Sequence, residues 1–199
     1  MRAVRALVLA LVLPLATPVF AQSTQRVRGD IVSIEGSKLT VRTRTGELTS
    51  IDLADNYRVS AVVRASPDAI AQGSYVGAAS LPQPDGTQRA LEVLVFPESG
   101  RGSGEGHYAW DLQPGSMMTN ATVAQVVSID NGRRMTLKYK DGEKTVIVPS
   151  GVPIVTFEPG DREMLRPGAH VMVGARVQPD GSLAASGVAV GKDGLVPPM

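Results

Sequence analysis

Cysteine is missing from all 199 residues. That absence excludes disulfides, thiolate metal sites and cysteine nucleophiles, and an exported domain of this kind must be held by its core alone. Imidazole is scarce as well: His107 and His170 are the two histidines. Aromatic residues make up 4% of the chain and Trp110 is its one tryptophan, too few to build the stacking platforms that single-strand nucleic-acid binders add to a basic groove. No G-x-S-x-G elbow and no phosphate-loop lysine occur, and Gly102-Ser103-Gly104 lacks both the G-x-G-x-x-G spacing and the strand–helix setting of a dinucleotide site. After residue 21 no apolar stretch approaches the length of a membrane span. These gaps leave catalysis poorly supplied, and no cofactor is expected.

What is present begins with an address. Arg2 and Arg5 precede a short apolar run at residues 6–16, and Val19-Phe20-Ala21 offers small residues where a signal peptidase reads. Residues 1–21 therefore read as a signal peptide cleaved after Ala21, which directs the mature chain to the periplasm. Cleavage removes two of the 20 basic residues and leaves 18 against 19 acidic ones, so the precursor's pI of 8.1 is no argument for nucleic acid.

The chain also repeats itself. Residues 30–35 (DIVSIE) match residues 125–130 (QVVSID), Gly73 matches Gly168, and Pro84-Asp85-Gly86 matches Pro179-Asp180-Gly181, each at an offset of 95. One offset held across a whole unit is a duplication, not a solenoid of short repeats. Within the units the residues alternate as in half-buried strands. Met135, Leu137 and Tyr139 alternate with Thr136, Lys138 and Lys140; Leu39, Val41 and Thr43 do the same in the first unit. Asp-Gly pairs at 141–142 and 180–181 mark tight turns. Residues 66–73 and 159–168 instead read as single helical turns, with Asp161 as a cap and Ile70 equivalent to Leu165.

Three strands, a helical turn and two strands is the order of a small, partly open barrel. The expected fold is thus all-β: two tandem five-stranded OB-like barrels at residues 25–96 and 119–192, each with a short helical turn between its third and fourth strands. An SH3-like barrel or a small open sheet are the alternatives. Residues 97–118 form a Gly/Ser-rich linker, flexible over residues 99–106 and then carrying an aromatic segment, and residues 193–199 form a C-terminal tail. A plain spacer has no use for a tryptophan, so Trp110 and Leu112 are expected to dock between the barrels.

The Asp-Gly-punctuated units, the joint DLQPGSMMTNATV at residues 111–123 and the end GKDGLVPPM at residues 191–199 resemble an uncharacterised family of exported bacterial proteins with tandem OB-like domains of unknown function. Some similar sequences carry a metal-transport permease label. The resemblance implies no catalytic residues. A permease needs several spans, which this sequence lacks.

That label directs attention to metal ligands. Thioethers with imidazole suit monovalent copper in an oxidising compartment, so His107, Asp111, Met117, Met118 and His170 are the candidate ligands. Copper carriers cluster their methionines, however, and here only Met117 and Met118 adjoin; Met135 and Met164 read as core filler. A binding surface is the other candidate, built from Trp110 and Tyr108 in the linker and from the outward charges Lys38, Arg42, Arg44, Lys138 and Lys140. The function expected is a non-catalytic binding or adaptor protein of the bacterial envelope, its partner another envelope protein or an envelope polyanion. A copper- or zinc-handling accessory protein of a transport system is the alternative, and a glycan-cleaving enzyme ranks third.

Overall fold

The computed structural model describes residues 23–198. The signal segment at residues 1–21 lies outside the described residues. Among the described residues the chain is all-β, with twelve strands: β1 (Thr24–Glu35), β2 (Lys38–Thr43), β3 (Leu48–Arg64), β4 (Tyr75–Pro82), β5 (Gln88–Val95), β6 (Gly106–Ala109), β7 (Met117–Ile129), β8 (Gly132–Tyr139), β9 (Gly142–Pro149), β10 (Ile154–Pro159), β11 (His170–Val177) and β12 (Leu183–Gly191). The helical segments are single 3-10 turns, including Pro67–Ala69 and Arg162–Met164. Ser66 caps the first by accepting from the Asp68 amide, whereas Asp161 occupies the equivalent place in the second without a side-chain cap bond. Among the described residues no helix is long and apolar enough to cross a membrane.

Five strands close a barrel in the order β1–β2–β3–β12–β11, with β11 returning to β1. Its interior follows from alternation: Leu39 and Val41 on β2, Ile51 on β3 and Val173 on β11 are fully shielded. Burying each such side chain contributes roughly 1.5–3 kcal/mol. Gly29 admits a close approach of β2, since a Cβ there would stand 2.0 Å from the Arg42 carbonyl oxygen. A bulge between Ile31 and Ser33 then bends β1 round the corner.

The closure runs across the expected division at residues 25–96 and 119–192. The closed barrel takes β11 and β12 from the second half of the chain, while β4 and β5 of the first half pair with β7 and β9 of the second. The cause lies in β3. Its 17 residues extend for roughly 55 Å, far beyond an average strand. Its first part pairs with β2, and its last residues pair with β10 outside the barrel. The chain has therefore left the barrel before its 3-10 turn, and the β4–β5 hairpin forms elsewhere. Ile70 joins the core around Val123, Met135 and Leu137, and Leu165 joins the core of the closed barrel, so each turn sits in a core to which both halves contribute.

Strands β4, β5, β9, β8 and β7 are linked in a second cycle of pairings, in which β5 and β9 meet over two residue pairs. A third apolar cluster of Val62, Leu94, Val155 and Ala189, flanked by Phe96 and Phe157, joins strands of both groups. The expected linker is also more ordered than its composition suggested. Residues 106–109 form β6 against β7, and the Ser103 carbonyl accepts from Tyr75 Oη at 3.2 Å and from Asn120 Nδ2 at 3.1 Å.

Candidate functional site

The outward face of β1 alternates with its buried one. Val27 and Ile31 point into the closed barrel, so Arg26 and Arg28 project outward, where the joint after β6 crosses them. Ser116 fixes that joint: its hydroxyl donates to the carbonyls of Gln113 at 2.7 Å and Trp110 at 3.1 Å. The Trp110 ring then lies against Arg26, whose guanidinium carbon is 3.8 Å from the ring centroid, with Arg28 at 5.8 Å and the Tyr108 ring at 6.1 Å. Cation–π contact of this kind is worth roughly 0.5–2 kcal/mol.

Asp111 completes the cluster. Arg28 Nη2 donates to its Oδ1 at 2.8 Å, and Arg26 Nη1 stands 3.7 Å from Oδ2. Burial pushes the Asp111 carboxyl upward, but the Arg28 hydrogen bond and the charges of Arg28 and Arg26 outweigh it and hold the group below the usual carboxylate range. Beside the joint a cleft of about 180 Å³ is lined by Arg26, Arg28, Arg44, Thr43, Asp111 and Leu112, among others.

Glu92 on β5 is fully buried, and neither carboxyl oxygen has a hydrogen-bond partner. Burial pushes its pKa up to about 8 against the opposing pull of Arg28. At neutral pH this carboxyl is therefore largely protonated. The Trp110 indole nitrogen is likewise buried without an acceptor.

A second polar region lies on the same barrel. His170 Nδ1 and Asp30 Oδ1 are 2.5 Å apart across β11 and β1, and Arg42 stands opposite Asp30 on β2. His170 borders two cavities, of about 160 and 640 Å³. The C-terminal segment covers part of this face: Pro197 is buried, and its carbonyl accepts from Arg44 Nη2 at 3.3 Å.

The candidate ligands are thus dispersed. His107 sits on β6, with Nδ1 2.9 Å from Thr119 Oγ1 and its ring stacked on Tyr139, whereas His170 sits on β11 with Asp30. Burial, reinforced by Lys144, lowers the His107 pKa. Asp111 is engaged by arginines; Met118 is buried opposite Tyr108, and Met117 is half-buried opposite Ala109. Among the described residues no three His, Asp or Glu side chains gather as a metal-binding group.

The candidate surface charges divide similarly. Lys38 pairs with Asp52 at 2.9 Å, Lys138 lies opposite Glu143, and the Lys140 amide donates to Glu105. Arg44, Trp110 and Tyr108 fall at or beside the joint. Sequence reasoning missed Arg26, Arg28 and Glu92. The signal for Glu92 was available, as a single acid inside the apolar run ALEVLV at residues 90–95. Comparison with known family models, curated proteins and solved structures gives no match.

Proposed function

We propose that this chain is an exported, non-catalytic binding or adaptor protein of the bacterial cell envelope, working in the periplasm after removal of residues 1–21. In this reading the molecule is a pair of OB-like barrels that have exchanged their last two strands, and its partner is an envelope protein or an envelope polyanion. The observation that carries the reading is the joint itself. Trp110, Tyr108 and Asp111 are seated across Arg26 and Arg28 of β1, which makes a composite cleft from the first strands and the segment that joins the two halves. Such a surface binds by charge and shape and needs no reacting group.

The test is the melting temperature of residues 22–199 across a panel of polyphosphate, lipopolysaccharide, peptidoglycan fragments, copper and zinc. A ligand at about a hundred times its dissociation constant stabilises the native state by roughly 2.7 kcal/mol, a rise of several degrees. A rise with an envelope polymer supports the reading. A rise confined to copper or zinc, lost on replacing His107 and Met117, favours the metal-handling alternative instead. Turnover of a peptidoglycan fragment in the same samples would end the non-catalytic reading.

A further inference from the structure

We propose that the cleft beside Trp110 binds a phosphate group of an anionic polymer, and that Asp111 holds the place of that phosphate in its absence. The inference rests on the reading of the chain as a binding protein and names the chemistry of the bound partner.

Three guanidiniums, those of Arg26, Arg28 and Arg44, line this cleft against a single lining carboxylate, Asp111. Arg28 is held in place: its side chain is 9% exposed and lies 5.8 Å from the Trp110 ring centroid. Arg26 is braced by the same ring. Such bracing lowers the entropy lost when an anion binds. Asp111 is the mobile member by comparison, with a side chain 46% exposed and a long 3.7 Å approach to Arg26. Its planar carboxylate meets Arg28 at hydrogen-bond distance and leaves Arg44 to the Pro197 carbonyl, a long contact of 3.3 Å. A tetrahedral phosphate presents oxygens in three directions, so it can meet Arg26 and Arg28 together, as Asp111 does, and still offer an oxygen toward Arg44 on the same cleft. Glu92 does not compete for Arg28 at neutral pH, because burial keeps its carboxyl protonated there. Thr43 and Thr45 on the cleft wall share one hydrogen bond, 2.8 Å between their hydroxyl oxygens, which leaves one of the two hydroxyls to donate elsewhere.

The experiment is isothermal titration of the mature protein with a short polyphosphate chain and, separately, with polyglutamate. Asp111→Asn removes the internal competitor and should tighten polyphosphate binding by about threefold to tenfold. Arg26→Gln with Arg44→Gln should weaken it by more than about tenfold, the effect of losing one charge-assisted contact. Lys138→Gln with Lys140→Gln, on the other strand group, should leave it unchanged. Arg44→Gln alone, an exposed substitution, guards against misfolding of the double variant and should weaken binding by itself.

The proposal is overturned if Asp111→Asn weakens binding or the arginine variants bind as the parent does. Equal affinity for polyglutamate would overturn the assignment to phosphate. Binding carried by Lys138 and Lys140 would remove this cleft while leaving the adaptor reading intact. An absence of anion binding, together with a protein partner crosslinked at Trp110, would do the same.

Discussion

Replacing Glu92 by glutamine removes a proton that the folded chain holds and the unfolded chain releases. In the fold the carboxyl titrates near pH 8, against an ordinary value of 4.5. Between those values the native state binds one proton more than the unfolded state, so stability falls as pH rises. The loss begins above about pH 4.5 and levels off above about pH 8. At 1.36 kcal/mol per unit, the interval amounts to about 5 kcal/mol as a ceiling. Relaxation of the interface or water entry reduces that figure, and the Arg28 charge is already counted in it. For a chain of this size each kcal/mol moves the melting temperature by about 2–4 °C. Urea unfolding of residues 22–199 and of its Glu92→Gln variant at pH 5, 6, 7, 8 and 9 isolates the effect, because every other titrating group is common to both. The variant should match the parent near pH 5, or fall slightly below it through an unpaired amide, and should gain on it steadily up to pH 8. Parallel pH profiles would refute the reasoning, since they would mean that the Glu92 proton does not distinguish the folded state from the unfolded.

Three further outcomes are expected. His107 is held neutral by burial and by Lys144, so its contribution is lost on acidification below about pH 6.5; His107→Gln should flatten the acid side of the stability profile, read by circular dichroism. Gly29→Ala forces a Cβ to 2.0 Å from the Arg42 carbonyl oxygen, and moving β2 aside should cost about 2–4 kcal/mol by denaturant midpoint, where an Ala on open strand surface would cost almost nothing. Trp110→Ala should cost about 1–3 kcal/mol through lost packing and cation–π contact, while small-angle scattering stays unchanged because β10 still pairs with both β3 and β5 and ties the strand groups together; an expanded scattering profile would show instead that the joint, not strand pairing, holds the molecule together.

The all-β character was legible because alternation is a local property. Leu39 and Val41, or Met135 and Leu137, declare a buried face within a few residues, and the structure shields each of them. Pairing between distant strands leaves no comparable mark. Nothing local in β11 names Gln25–Val27, about 150 residues away, as its neighbour. The clue was the length of β3: seventeen residues from Leu48 to Arg64 without a turn signal is too long for one small barrel. The site was legible in part. Trp110 stood out by its rarity, but Arg26 and Arg28 looked like ordinary outward charges, and their importance comes from a joint more than eighty residues away.

Closing the barrel with strands from far along the chain also sets a timetable. Thr24 faces Arg176, so the first strand of the closed barrel waits for a partner about 150 residues downstream. At about 5–20 residues per second, synthesis leaves β1, β2 and β3 without β11 and β12 for roughly 8–30 s. Through that interval their edges are open to the nearest substitute, the chain's own β4–β5 hairpin, whose early capture would leave β11 and β12 without their place. A chain delivered unfolded to its compartment, all strands at once, meets both choices together and escapes that trap.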